Sequence, residues 1–266
     1  MPQPFFSVTD GGLVPHPDAR SPWSADMLHG RLLAGLAAWA VERDHGDPEL
    51  QPVRFTVDLY RSPTMEATTV STHLVRDGRR VRAVDAVLHV GNIEVARAST
   101  LFLRRSDASV LPAVDDAPRT PRWDTPPPDE LPELPMPGGD VPFDVRSPVG
   151  SGFGAPGGTT RRVWLRENRE LVAGTPFTPF MRAALLADFA SPLANMGTEG
   201  LSYINADLSL YLSRLPEGEW LGISTDDRVV ADGVSVAQCP IHDATGPVGW
   251  SSVCAVLTPR MPRPET

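Results

Sequence analysis

The stretch Thr175–Ser213, TPFTPFMRAALLADFASPLANMGTEGLSYINADLSLYLS, reads as a short apolar helix carrying one acid, Asp188, then a turn and a strand. An acid among Met181, Ala184, Leu185 and Ala187 costs free energy to desolvate unless it is paired or hydrated. A carboxylate in such a partly dry setting can serve as a general base toward water. The same residue would equally serve as a cap at the helix end, facing solvent. Other chemistries find less support. There is no G-x-S-x-G elbow, and Cys239 and Cys254 lack a positioned His, so a covalent nucleophile is disfavoured. Gly138-Gly139 and GSGFGAPGG do not open a helix after a strand, which speaks against a nucleotide-binding loop.

The elements that must position Asp188 follow from local signals. Thr178-Pro179 is a hydroxyl cap followed by Pro at the first helical position. Pro192 should end or kink this helix close to Asp188. Near the N-terminus, SPWSADMLHGRLLAGLAAWAVERDHGD predicts a helix starting at Ser21-Pro22 or Ser24 and stopping near Gly46. Its Leu28, Leu32, Leu33, Leu36, Trp39 and Ala40 cover most of the circumference, the pattern of a buried helix. Gly30 and Gly35 cost helix stability, which points to close approach of something to the backbone.

Phe5–Val14, around Asp10-Gly11-Gly12, predicts a strand entering the fold. Four strands follow, at 53–61, 67–75, 80–90 and 94–104, with a hairpin signal at Asp77-Gly78. In RVRAVDAVLHV, Val81, Ala83, Asp85, Val87 and His89 share one face and Arg82, Val84, Ala86 and Leu88 the other. After Thr159 the order recurs: a strand at 162–166, the Asp188 helix, then strands at 201–213, 220–226, 229–241 and 248–257. Residues recur too. VDLYRS at 57–62 matches LSLYLS at 208–213, with Tyr60 over Tyr211, and VARASTLFL matches VGWSSVCAV. Two copies of one unit are implied. Between them, DTPPPDELPELPMPGGD is Pro-rich and acidic and reads as an extended connection, with Trp123 pinning it to a groove and a short strand at 141–146. The division is 1–105, a linker at 106–140, and 141–266.

A central helix wrapped by an antiparallel sheet, duplicated across a Pro-rich linker, resembles the double hotdog fold of the α+β class. More narrowly, LHGRLLAGLAAWA, FTVDLYRSP, DGRRVRAVDAVLHVGNIEVARAST, LLADFASPL and INADLSLYLSR resemble the acyl-CoA thioesterase II family, actinobacterial type. The resemblance implies two repeats that join edge to edge and a catalytic Asp, a small polar strand residue and a last-strand Gln that hold a water. Carried over, Asp188 takes the Asp position and Asn205 in INADL the strand position. The last position falls near Val253, where there is no Gln; Ser251 and Ser252 are adjacent, and Gln238 lies on the preceding strand. The His29-Gly30 pair is placed near the position equivalent to Ala187-Asp188, where backbone could approach the thioester. His29, Gly30, Ser251 and Ser252 are thus substrate-binding candidates, while Asp58 and Asp207 read as strand-edge or solvent-face acids. The resemblance implies an acyl-CoA substrate, lipid metabolism and no cofactor. A non-catalytic acyl-CoA or acyl-carrier binding protein and a hotdog hydratase or dehydratase remain alternatives, and a homo-oligomer is open.

Composition narrows the classes further. The chain of 266 residues carries 24 basic and 33 acidic residues, net −9, with no basic block, which argues against a nucleic-acid surface. Cys239 and Cys254 show no metal-ligand spacing and read as thiols of a reducing compartment. No signal peptide is read at MPQPFFSVTDGG, and the apolar run from Leu32 to Val41 is too short to span a bilayer. The expected location is cytoplasmic.

Overall fold

The computed structural model describes residues 2–106, 124–136 and 141–258. Among these, fourteen strands form one antiparallel sheet. The first half contributes β1 (Phe6–Thr9), β2 (Gly12–Pro15), β3 (Leu50–Leu59), β4 (Thr68–Asp77), β5 (Val81–Val90) and β6 (Ile93–Arg104). The second half contributes β7 (Phe143–Arg146), β8 (Arg162–Glu167), β9 (Tyr203–Asn205), β10 (Asp207–Leu212), β11 (Leu221–Ser224), β12 (Asp227–Ala231), β13 (Val234–Asp243) and β14 (Gly246–Leu257). The strand order is β1-β2-β4-β5-β6-β3-β10-β14-β13-β11-β8-β7, with β9 on β14 and β12 on β13. Three helices, α1 (Gly30–His45), α2 (Pro179–Ala187) and α3 (Ala190–Asn195), supply much of the core on one side of the sheet.

The halves meet edge to edge, as the repeat implies. β3 pairs with β10 through Asp58↔Asp207, Val57↔Leu208, Thr56↔Ser209, Phe55↔Leu210 and Arg54↔Tyr211. Val57 and Leu208, the residues matched by the sequence repeat, are therefore also ladder partners, and an approximate twofold axis passes through that pair. Joining the edges satisfies backbone groups that each half would otherwise expose. A second connection runs through the N-terminus, where Phe5 and Phe6 N–H donate to Glu170 and Leu171 O and the Ala173 N–H returns a bond to Phe6 O, each at 2.9 Å.

The α1–α2 contact is set by a glycine. A Cβ on Gly35 would lie 2.7 Å from Leu185 Cδ2 and 3.0 Å from Leu171 Cδ2, so the helices approach closely because no side chain stands between them. Gly30 differs from expectation: its Cβ position lies at an ordinary 3.7 Å from Leu59 Cδ1, and no close approach requires glycine there. Phe180 of α2 packs edge-on against Phe55 of β3 at 5.3 Å, tying the second helix to the first half's sheet.

The first helix starts later than its sequence signals suggest. Ser24–Leu28 is a short strand paired with Arg20–Ser21, and α1 begins at Gly30. The two serines are occupied locally, Ser21 Oγ accepting from Trp23 N at 3.2 Å and Ser24 Oγ from Asp26 N at 3.4 Å. His29 is the cap instead, its Nδ1 accepting the Arg31 N–H at 3.3 Å. The stop at Gly46 agrees, with its N–H on Glu42 O. The strand expected over 229–241 is a hairpin that turns at Asp232-Gly233, both at positive φ, the geometry favoured by a tight two-residue turn.

Residues 124–136, part of the extended connection, are tied down on the second half. Trp164 Nε1 donates to Pro126 O at 3.0 Å, Arg146 Nη1 to Pro128 O at 2.7 Å, and Leu134 N to Val145 O at 2.9 Å. Trp123 and most of the remaining linker lie outside the described residues.

Gly249 provides a stability test of the β10–β14 ladder. A Cβ there would stand 1.8 Å from Tyr211 O, a backbone atom that cannot rotate away. Gly249→Ala is expected to destabilise the fold by at least about 2 kcal/mol, read as a lowered urea midpoint. A midpoint equal to the parent's would show that this ladder yields freely.

Candidate active site

The break between α2 and α3 places Asp188. Thr178 caps α2, its Oγ1 accepting the Met181 N–H at 3.1 Å while donating to the Glu42 carboxylate of α1. Pro192 has no N–H to offer the carbonyl four residues earlier, which belongs to Asp188, and its ring would collide with that carbonyl in a continuous helix. The chain tightens instead: Phe189 N donates to Leu186 O at 2.9 Å and Ser191 N to Asp188 O at 3.2 Å. Asp188 is thereby the C-cap of α2.

Tightening leaves the Ala187 carbonyl without its helical donor. Ser251 of β14 supplies one, its Oγ donating to Ala187 O at 2.8 Å, and the Cys239 thiol of β13 lies 3.9 Å from Ala190 O. The sheet therefore holds the break open from below. Ser251 is fully buried and its hydroxyl is committed to this bond, so it shapes the site and does not present a free group to a ligand. Ser252 lies on the opposite face, in register with Ser209 and Gln238, away from Asp188.

Asn205 and Asp188 come together. Asn205 Nδ2 donates to Asp188 Oδ1 at 2.8 Å, from β9, which is held on β14 through Asn205↔Ala255. Asp188 is 6% exposed. Burial pushes its carboxyl above the usual range, opposed by the Asn205 hydrogen bond and by the positive charge of Arg31. A buried carboxylate with a raised pKa and one fixed donor is the combination a general base requires.

The start of α1 borders the same seam. Leu59 N donates to the O of Ala206, the residue after Asn205, and Leu59 is also the neighbour nearest the Gly30 Cβ position. His29 is the N-cap of its helix and so corresponds in position to Thr178, not to Ala187-Asp188 at the other helix's end. Because its Nδ1 accepts the Arg31 N–H, its own proton is assigned to Nε2. Burial, with the charge of Arg31, pulls its pKa down to about 3. His29 is thus a neutral donor. Of the two other strand acids, Asp58 is exposed, while Asp207 is half-buried and accepts the Cys254 N–H at 2.6 Å.

Arg31 and Glu167 were not among the sequence candidates. Arg31 Nη1 lies 2.5 Å from Glu167 Oε1, with the two side chains 1% and 8% exposed. The missed signal was an Arg inside the apolar LHGRLLAG run, without an acid one turn on to pair with it.

The thiols are poor nucleophiles. Burial pushes Cys239 up to about 12, and burial with the nearby Asp207 also raises Cys254. Among the described residues no His/Cys/Asp/Glu cluster is arranged to hold a metal ion, and no helix is long and apolar enough to cross a membrane.

Comparison with known proteins decides the family. The acyl-CoA thioesterase N-terminal domain model matches residues 19–103, and the C-terminal domain model matches residues 112–252. The chain belongs to the acyl-CoA thioesterase family. It is a thioester hydrolase by that membership. The C-terminal match begins within the Pro-rich connection. Solved structures give the fold independently. A candidate thioesterase II from Thermobifida fusca YX aligns at TM-score 0.73 and 16% identity, covering 96% of this chain and 95% of that one. A hot dog protein of unknown function from Alicyclobacillus acidocaldarius aligns at 0.71 and 16%, covering 94% and 92%. The acyl-CoA thioesterase II TesB2 of Mycobacterium marinum aligns at 0.60 and 18%, covering 86% and 90%. No curated protein matches this thioesterase in sequence.

Proposed function

We propose that this thioesterase hydrolyses fatty-acyl or related acyl-CoA thioesters with a water that Asp188 activates and Asn205 helps to orient. The observation that carries the reading is the 2.8 Å bond between Asn205 Nδ2 and Asp188 Oδ1 at the break between α2 and α3. In the proposed reaction the water oxygen attacks the thioester carbon as its proton passes to Asp188. The developing oxyanion is held by the N-terminal end of α1, whose first turn carries no acid, with the His29 Nε2–H as a further donor. Collapse of the tetrahedral species breaks the C–S bond, and the thiolate takes the proton back from Asp188, leaving the free acid and CoA thiol.

The hydratase or dehydratase alternative asks His29 to act as a base. A ring pulled down to about 3 by burial accepts protons poorly near neutrality, which favours hydrolysis by Asp188. Composition and family support a role in lipid metabolism in the cytoplasm.

The deciding experiment is release of free thiol from acyl-CoAs of graded chain length, run beside the same acyl groups on a carrier protein. Turnover on at least one CoA series is expected. Tight acyl-CoA binding without thiol release would favour the non-catalytic reading.

A further inference from the structure

The buried guanidinium of Arg31 is unusually placed. Its Cζ lies 5.2 Å from the Phe5 ring centroid, 5.1 Å from Phe143 and 5.6 Å from Phe189, the residue after Asp188. These rings come from the N-terminal segment, β7 and the start of α3, so several parts of the fold enclose one charge. Only Nη1 is hydrogen-bonded, to Glu167. Arg31 Nε and Nη2 and Glu167 Oε2 are buried and find no hydrogen-bond partner among the described residues. A core brace would use its donors more fully, since each unmet one costs free energy.

We propose that Arg31 is a positioning residue of the catalytic site: it supplies one buried positive charge shared between Glu167 and Asp188, and Glu167 sets how much of it Asp188 feels. The inference rests on the functional reading above, in which Asp188 is the base.

The surroundings of Asp188 support this assignment. From α1 come Arg31 and the neutral His29, whose Nδ1 bonds the Arg31 backbone N–H. From β8 comes Glu167, bound to Arg31. From β10, Asp207 directs its carboxylate to Cys254 N. From β13 comes the Cys239 thiol, at Ala190 O. Beyond α3, Arg161 bonds Leu193 O and Arg228 bonds Asn195 Oδ1. Of these groups Arg31 reaches the turn that carries Asp188, its Cζ 5.6 Å from the ring of the next residue, Phe189, and its charge opposes the rise that burial gives the Asp188 carboxyl. A cavity of about 10 Å³, room for roughly one water, is lined by Glu167, Leu186 and Phe189 and reaches out to Arg182 and Glu219.

Two substitutions should move Asp188 in opposite directions. Glu167→Gln releases Arg31 from its partner, so the Asp188 pKa should fall by about one unit; Arg31→Gln removes the cation, so it should rise by about one unit. The readings are carbon-13 NMR titration of the Asp188 carboxylate and the acidic limb of kcat/KM on acyl-CoA. One unit is a tenfold change in rate at a pH well below the limb's midpoint. If Arg31→Gln fails to fold, the double variant Arg31→Met with Glu167→Met leaves no buried charge unpaired, and it should show a smaller upward shift. A structural brace would lower stability without splitting the directions. Shifts of the same sign, or shifts below about 0.3 unit in folded variants, would overturn the proposal. The NMR titration reads Asp188 with or without turnover. Opposed shifts in a protein that releases no thiol would therefore sink the hydrolytic reading alone.

Discussion

Asp188→Asn should lower acyl-CoA turnover by roughly 10²–10⁴-fold, the usual range for loss of a general base. The substitution keeps the shape of the side chain. Its Oδ1 can still accept from Asn205 Nδ2, so the break between α2 and α3 should survive. Acyl-CoA affinity should be unchanged or slightly tighter, because the lost carboxylate would have repelled an anionic ligand. Stability should not fall. Burial raises the pKa of Asp188, so ionising it costs folding free energy, and that cost grows as pH rises through the folded value. The variant should therefore melt at or above the parent near neutral pH. In the parent, activity should decline as pH drops through the same raised pKa, above the ordinary carboxylate range. Stopped thiol-release assays, isothermal titration and thermal melts give the three readings. A variant that hydrolyses like its parent would remove Asp188 from the mechanism.

The largest stability loss is expected at Asp243, the last residue of β13. Its carboxylate accepts from Arg214 Nη1 and Nη2 at 2.5 and 2.7 Å, and from Glu217 N, Thr245 N and Thr245 Oγ1, each at 2.8 Å. The side chain is fully buried. It locks the segment after β10 onto the turn between β13 and β14, the two strands that carry Cys239 and Ser251. Asp243→Ala should cost about 3–5 kcal/mol, because it strands the Arg214 charge and leaves two backbone donors unmet. Burial alone would raise this carboxyl, but Arg214 and the N–H and hydroxyl donors outweigh it and hold it well below the usual range. Its stabilising contribution is therefore complete above the unfolded-state value near 3.8 and is lost as pH falls toward the depressed folded one. Urea unfolding at pH 7 and at pH 3 should show the variant and parent converging in acid. A constant gap would show that the carboxylate's charge is not what matters.

Much of the architecture was legible because it rests on local chemistry. Thr178-Pro179 and Pro192 carry the start and break of the Asp188 helix in their own backbone properties, and Asp77-Gly78 does the same for one hairpin. The repeat made an edge-to-edge joining of the two halves readable, and the structure places it at β3 and β10. The errors have physical causes as well. Two serines before α1 look like helix caps but hold turns in a short ladder, while an imidazole does the capping at His29. Asp232-Gly233 carries the same turn signal as Asp77-Gly78, inside a stretch that reads as one strand. Around the site, the resemblance names Asp188 and Asn205 together and the structure joins them by a hydrogen bond, while Ser251, named for substrate binding, has its hydroxyl on Ala187 O. Arg31 and Glu167 were invisible because their partnership spans 136 residues. It depends on three rings from separate elements, and no spacing encodes it.

The twofold axis through Val57 and Leu208 bears on how many active centres one chain can have. A perfectly repeated chain would carry two, one on each side of the seam. The match of His29 with Thr178 sets Asp188 over Trp39 of the first-half helix, GRLLAGLAAWAVERDH, and the nearest acid there, Glu42, is taken up by the Thr178 hydroxyl. Asp188 thus has no twin. Titration with a tight-binding, non-hydrolysable acyl-CoA analogue should saturate at one equivalent per chain, whatever the number of chains in the assembly.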